Sequence, residues 1–286
     1  MKQDDLNGRI DEYIKEMPSL PLSAGKITEI CNRVPVNPSD FNQIISFDPV
    51  LRGRLLQFVN SAYYEHGHHV TSPVKAVTML GINTVKNFVL STVDMASPKN
   101  ENGAMIMEDL WRHSLYVGVT AKLLAAKQNV DSTLLEDYFT AGLLHDVGKI
   151  PLISLFPSQY KLALADVEQK QKTLLEAEEK NLGIDHCMAG TMIAGSWKLD
   201  RPIADVIMHH HYPASYSGEN TNIVYTVSIA NYFSSLGGAP STGNKNPKKP
   251  EAMIWQALNI KKEVFEELNE KAVRQIKKAE IFLHLS

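Results

Sequence analysis

Proline placed directly after a capping or charged residue recurs along this chain, and it limits the fold more than any other feature. Asp48-Pro49, Ser72-Pro73 and Arg201-Pro202 put proline at a first helical position, where its missing N–H and fixed φ do no harm. Asp48, Ser72, Asn83, Asp131 and Asp185 supply side-chain acceptors suited to helix N-termini. Strand signatures are scarce, so the reading is all-α. Helices are predicted near 5–17, 23–33, 38–46, 49–62, 73–80 and 84–95 in an N-terminal lobe covering 1–96, with Leu51, Leu55, Phe58 and Val59 as a core stripe. The polar, turn-rich Ser97-Pro-Lys-Asn-Glu-Asn-Gly103 marks a boundary. A second lobe, 104–236, opens with a helix through Leu110, His113, Val117 and Leu124. It continues with one ending at His145-Asp146 and others near 157–180, 186–198, 202–211 and 222–236. Gly237 to Pro250 reads as a flexible surface loop. Residues 251–286 read as two or three short helices packing on the second lobe through Ile254, Leu258, Val264, Phe265, Leu268, Val273, Ile276 and Phe282.

Composition narrows the function. A length of 286 residues with 44% hydrophobic content builds ordinary cores without staples. A formal charge of −3 gives no global field for nucleic acid, which is not expected as a partner. With only Cys31 and Cys187, and a start (Met-Lys-Gln-Asp-Asp) that lacks an apolar signal region, a reducing cytoplasm is the expected location. No apolar run is long enough to span a bilayer.

The chemistry gathers around Ala141-Gly-Leu-Leu-His-Asp-Val-Gly-Lys-Ile-Pro151. His145 and Asp146 close an apolar helix carrying Leu135, Tyr138, Phe139 and Gly142, with Gly148 expected as a left-handed stop. Burying even a merely polar group without a partner costs roughly 2–7 kcal/mol, so something must satisfy both. Other imidazoles fall on apolar stripes: His113 with Leu110 and Val117, His186 with Ala189, Gly190 and Ile193, and His210 seven residues after Ile203. His209 reaches the same groove from the adjoining flank, and His211 points further round. Asn231 shares a stripe with Val224, Val227 and Ser228. One inward histidine is ordinarily a core residue bonded to a carbonyl. Several helices each presenting one beside a carboxylate are explained together by a shared metal site. Nitrogen-rich ligation with one bridging carboxylate suits one or two ions of iron, manganese, zinc or nickel better than magnesium or calcium. Cys187, about 100° from His186 on a helix, is set aside as packing. His66, His68 and His69 read as loop residues, and no nucleophile elbow or glycine-rich phosphate loop occurs.

Taken in order, His113-Ser114, Leu144-His-Asp-Val-Gly-Lys149, His186 and His209-His210 resemble the HD superfamily of metal-dependent phosphohydrolases, particularly its HD-GYP branch. Met17-Pro-Ser-Leu-Pro21, Phe47-Asp-Pro-Val-Leu51, Val59-Asn-Ser-Ala-Tyr-Tyr64, Val70-Thr-Ser-Pro73 and Ala76-Val-Thr-Met-Leu-Gly-Ile82 resemble the HDOD domain, the HD-related output domain of bacterial signalling proteins. The resemblance runs from about 15 to about 235. It implies an N-terminal helical lobe packed on an HD-like lobe, a first metal on His113, His145 and Asp146, and a second metal bridged by Asp146 and completed by His186, His209 and His210. Lys149 matches the lysine that contacts phosphate in hydrolytic relatives. Two departures stand out: Asn231 replaces the closing aspartate, and His211-Tyr-Pro stands where those relatives continue with glutamate and later Gly-Tyr-Pro.

The expected function is therefore a regulatory HDOD module with a His/Asp-rich metal site, acting on a regulatory protein partner. The alternative is an active phosphohydrolase on a phosphomonoester, cyclic nucleotide or cyclic dinucleotide, with Asp146 and Lys149 in catalysis. A helical adaptor without metal is the third reading.

Overall fold

A computed structural model describes residues 3–17, 30, 38–63, 70–80, 84–85, 101–170, 172–237, 243, 248–261 and 263–284. Among the described residues every regular element is a helix. In the N-terminal part, α1 (Gln3–Lys15) buries Leu6, Ile10 and Ile14 at four-residue spacing. It is followed by α2 (Pro38–Phe47), α3 (Pro49–Tyr63) and α4 (Pro73–Leu80). Asp48 starts α3 by accepting the Val50 and Leu51 amides on Oδ1 at 2.8 and 3.0 Å.

The remainder is α5 (Glu101–Lys127), α6 (Leu135–Leu144), α7 (Lys149–Leu155), α8 (Pro157–Lys170), α9 (Leu174–Leu182), α10 (His186–Ser196), α11 (Arg201–His209), a 3-10 turn at Pro213–Ser215, α12 (Thr221–Leu236), α13 (Ala252–Ala257) and α14 (Val264–His284). The long α5 packs on α6, α12 and α14. Its crossing with α6 is close because Gly118 meets Gly142, where an added Cβ would stand 2.8 Å from the facing Cα.

One large core joins most of these elements, and a small separate cluster of Ala163, Val167, Leu174 and Ala177 lies between α8 and α9. Trp111 of α5 is fully buried and donates its indole N–H to the Phe47 carbonyl at 2.7 Å. Trp197, after α10, lies against Gly53 of α3. Each indole hides about 150–250 Å², an upper bound of roughly 4–6 kcal/mol at about 25 cal/mol per Å². Arg52 reaches from α3 to Thr140 and Glu136 of α6.

Several expectations need correction. The single helix expected at 157–180 is two, α8 and α9, because Thr173 forms a capping box with Glu176 and restarts the chain. The turn after Asp146 leads directly into α7. Glu101–Gly103, read as boundary, is the first turn of α5, while 97–100 lie outside the described residues. The C-terminal segment is one short helix and one of 21 residues. Phe58 is 42% exposed. The buried arc of α3 is centred on Arg52, Leu55, Leu56 and Val59, since this face meets both α6 and Trp197, and that rotates Phe58 to the rim. Residues 23–29, 31–33, 86–95 and the loop histidines 66, 68 and 69 lie outside the described residues.

Candidate metal centre

His145 is the C-cap residue of α6 and keeps helical angles, φ −54 and ψ −36. Gly148 does the same at φ −65, ψ −16, so it is no left-handed stop. The turn requires glycine for a different reason. A Cβ there would sit 1.9 Å from the His186 carbonyl oxygen and 2.4 Å from the Gly190 amide nitrogen. This backbone-to-backbone contact of the 145–148 turn with α10 brings His186 to Asp146. Asp185 fixes the start of α10 by accepting the Met188 amide at 2.8 Å.

Asp146, 1% exposed, is the hub. Its Oδ2 lies 3.3 Å from Nε2 of His113 and 3.3 Å from Nε2 of His145, and those two nitrogens are 3.2 Å apart. Its Oδ1 lies 3.2 Å from Nε2 of His186 and 3.5 Å from Nε2 of His210. Lys149, 1% exposed, sets its ammonium 2.6 Å from Oδ2. The far nitrogen of each imidazole is already bonded to an acceptor: His145 Nδ1 to the Gly142 carbonyl at 2.7 Å, His186 Nδ1 to Glu178 Oε2 at 2.6 Å, and His210 Nδ1 to the Val206 and Ile207 carbonyls at 3.1 Å. Ser234 spends its hydroxyl on the Asn231 carbonyl at 2.6 Å, leaving its oxygen to face His113 Nδ1 at 3.3 Å.

With Nδ1–H donating, Nε2 of a neutral imidazole is a lone pair. Lone pairs thus converge on a carboxylate. Among the described residues, buried Asp146 Oδ1 and His210 Nε2 make no well-formed hydrogen bond. Donor atoms bound at about 2.0–2.1 Å in a tetrahedron stand about 3.3–3.4 Å apart, and somewhat closer in an octahedron. The separations around Asp146 match that spacing, so the residues present fit a divalent cation.

The electrostatics agree for His145, His210 and His211, whereas His186 is drawn toward its protonated form in the metal-free protein. Burial takes His145 down to about 3 despite the neighbouring Asp146. Burial also lowers His210, and it carries His211 well below the ordinary range with His210 and His186 adding to it. His186 is raised: burial is the largest single influence and opposes its charge, but Glu178 and Cys187 together outweigh it. For Asp146, burial favours the neutral acid, yet His145 and Lys149 hold the carboxyl well below its usual range.

A pH effect follows for the metal-free protein. His145 is neutral when folded and takes up a proton near pH 6.5 when unfolded. The unfolded state therefore binds more protons between that value and about 3, and stability falls as pH falls through this window. The loss is up to about 1.4 kcal/mol per pH unit. His186 has the opposite sign: its stabilisation is complete below its ordinary value and is lost as pH rises through the raised one. It cannot offset the acid side. Between pH 6.5 and 4.5 we expect the melting temperature to fall by roughly 5–10 °C, at about 2–4 °C per kcal/mol. The fall should be shallower in His145→Gln. Equal slopes in the two proteins would place His145 in contact with water.

The structure brings His113, His145, Asp146, His186 and His210 together, and not His209. The His209 ring is 5.0 Å from Tyr216 instead. Helix α11 ends at His209 with His210 as its cap, so the helical period no longer applies one residue later. His211 turns inward, its Nε2 3.0 Å from that of His186. Cys187, set aside by the same periodicity, offers a sulfur within 4.8 Å of donor atoms of His186, His210 and His211. Asn231 is 6% exposed with a partnerless Oδ1. With His210, His211, Ser228 and Lys248 it lines a cavity of about 30 Å³. Glu178 was overlooked. It sits in the charge run Glu176-Ala-Glu-Glu-Lys180, yet it is fully buried. Its place four residues after Leu174 and four before Leu182 was the available signal.

An all-helical chain with two groups of imidazole donors sharing one buried carboxylate has the build of an HD-type domain. A family model for the HDOD domain matches residues 17–213, more than half of the chain, and the chain belongs to that family. An uncharacterized protein of Treponema pallidum (strain Nichols) is 26% identical over 232 residues, covering 79% of this chain and 44% of the relative. The chain thus spans less than half the length of that curated relative. Among solved structures, the MmoQ response regulator of Methylococcus capsulatus (Bath) superposes with a TM-score of 0.67 at 20% identity, over 88% of this chain and 97% of that one. An HDOD domain protein of unknown function from Geobacter sulfurreducens gives 0.55 at 21% over the whole of both chains. A Campylobacter jejuni virulence factor gives 0.62 at 19%, over 96% and 92%. At these identities the likeness establishes the fold. No helix among the described residues is long and apolar enough to cross a membrane.

Proposed function

We propose that this chain is a regulatory HDOD module whose shape is set by one or two divalent transition-metal ions. His113, His145 and Asp146 Oδ2 hold one ion. Asp146 Oδ1, His186 and His210 form the second set, with His211 in the place that the family resemblance implies for His209, Cys187 close by and Asn231 at the edge. The observation that carries this reading is the fixed Nδ1 of His145, His186 and His210, which turns their Nε2 atoms toward a carboxylate. Iron, manganese, zinc or nickel suits this donor set. A bound ion supplies Lewis acidity, but the surrounding residues do not prepare it for turnover. Lys149 is committed to Asp146, and the cavity beside the cluster has room for about one water. Output through contact with a regulatory protein fits such a site. The competing reading, hydrolysis of a phosphomonoester, cyclic nucleotide or cyclic dinucleotide with Asp146 and Lys149 in catalysis, draws on Lys248 and Lys249 at the mouth of that cavity.

Metal analysis of protein purified without chelator, followed by a panel of those phosphoesters, tests the proposal. We expect bound transition metal, no turnover, and a lower melting temperature after chelation, since loss of any ligand specific to the native state destabilises it. Metal-dependent hydrolysis that disappears in Asp146→Ala would replace the regulatory reading with the catalytic one. Protein isolated free of metal, and indifferent to added metal, would overturn both.

A further inference from the structure

A groove of about 620 Å³ opens between α2, α3, α5, α6 and α14, away from the histidine cluster. Its size falls in the range of small-molecule sites. Leu115, Val119, Leu123 and Phe139 give it an apolar wall, and Arg52, Lys122, Lys271 and Arg274 bring four cationic side chains against one lining carboxylate, Glu136.

The decisive group is Arg52. It is fully buried, an unusual position for a guanidinium, and contacts with three residues hold it. Its Nε and Nη2 donate to Thr140 Oγ1 at 3.0 and 2.6 Å, Nη2 also reaches Glu136 Oε2 at 3.1 Å, and the plane lies 4.8 Å over the Phe139 ring. Nη1 is buried with no partner. Glu136 cannot supply one, because Lys122 already shares it with Arg52. At the rim, Lys271 and Arg274 are engaged in exposed pairs one turn back on α14, with Glu267 at 2.7 Å and Glu270 at 2.9 Å. Such pairs hold weakly and exchange partners readily. A second lining residue, Asn42, also has a partnerless buried amide oxygen. A flip of that amide would present its NH2 to the groove.

The geometry points to a binding site for a small organic acid: an apolar body along α5 and α6, and an anionic head on Arg52 Nη1 with the rim cations around it. An anion satisfies the orphaned N–H by a charge-assisted bond, which a neutral ligand cannot equal. The site stands independently of the metal reading. One helix nevertheless serves both, since His113 faces the cluster while Leu115 and Val119, on another face of α5, line the groove.

Decanoate titrated into the full chain by calorimetry tests this, with decanol as the neutral control. Saturable decanoate binding is expected, with decanol at least tenfold weaker and Arg52→Met weakening decanoate at least tenfold. Because Arg52 also ties α3 to α6, the exposed Ala126 at the groove gives the second variant. Ala126→Trp should fill the groove and abolish decanoate binding while the melting temperature of the ligand-free protein stays unchanged. No saturable binding, decanol binding as tightly as decanoate, or undiminished decanoate binding by Ala126→Trp would each overturn the assignment.

Discussion

Asp146→Ala should leave the protein without metal and markedly less stable, and the two losses should be separable. Both oxygens of this carboxylate face imidazole donors, Oδ2 toward His113 and His145, Oδ1 toward His186 and His210. Removing it strips a ligand from both sets at once. The loss of affinity should therefore exceed the roughly 10- to 100-fold typical for loss of a mere outer partner of a ligand. The stability loss has a second origin. Lys149, held 2.6 Å from Oδ2 and only 1% exposed, would lose that carboxylate while staying buried. Breaking a buried pair from one side costs about 3–5 kcal/mol, or roughly 6–20 °C in melting temperature. In Asp146→Ala combined with Lys149→Met the stranded charge is gone, so most of the stability should return while metal content stays at background. Retention of metal by the single variant would remove the carboxylate from the centre of the site. A double variant no more stable than the single one would show that stranding the lysine was not the cause.

Gly148→Ala should be almost as damaging without touching any ligand. Judged by backbone angles the change looks harmless: φ is −65 and ψ −16, a conformation any residue adopts without strain. The tertiary environment decides otherwise. The new methyl would stand 1.9 Å from the His186 carbonyl oxygen and 2.4 Å from the Gly190 nitrogen. Both are backbone atoms of α10 that cannot rotate aside. Overpacking usually costs about 1–3 kcal/mol and occasionally more, and this contact belongs at or beyond the upper end. Relief requires α10 to back away, carrying His186 from Asp146. We therefore expect a melting temperature lower by about 6 °C or more, with metal content reduced alongside. An unchanged or higher melting temperature would show that the two helices are not pressed together in solution.

These two variants also show how far the sequence can be read. Helical periodicity was enough to turn His113, His186 and His210 inward, because each lies within or at the edge of a regular helix whose other inward residues are apolar. It failed at His209 and His211, where α11 stops and the chain turns. It failed for Cys187 because a sulfur beside the first turn of α10 comes near the cluster through the placement of the whole helix, which a wheel does not contain. Gly148 was identified as special for the wrong reason. A glycine at a helix end suggests a left-handed residue, whereas the actual demand comes from a helix forty residues further on. Glu178 was hidden by its charged neighbours, although its apolar partners at four-residue spacing marked it. The break at Thr173 was legible as a capping box and was passed over.

Lys149 has one more consequence. Its amine stands at hydrogen-bonding distance from the Asp146 carboxylate, inside the cluster itself. On the proposed reading, loss of the ions would not leave bare repelling electron pairs, because this placeholder would still neutralise one oxygen of the carboxylate. The emptied protein would then stay folded and refill, and scarcity of the ion would register as a reversible change of state.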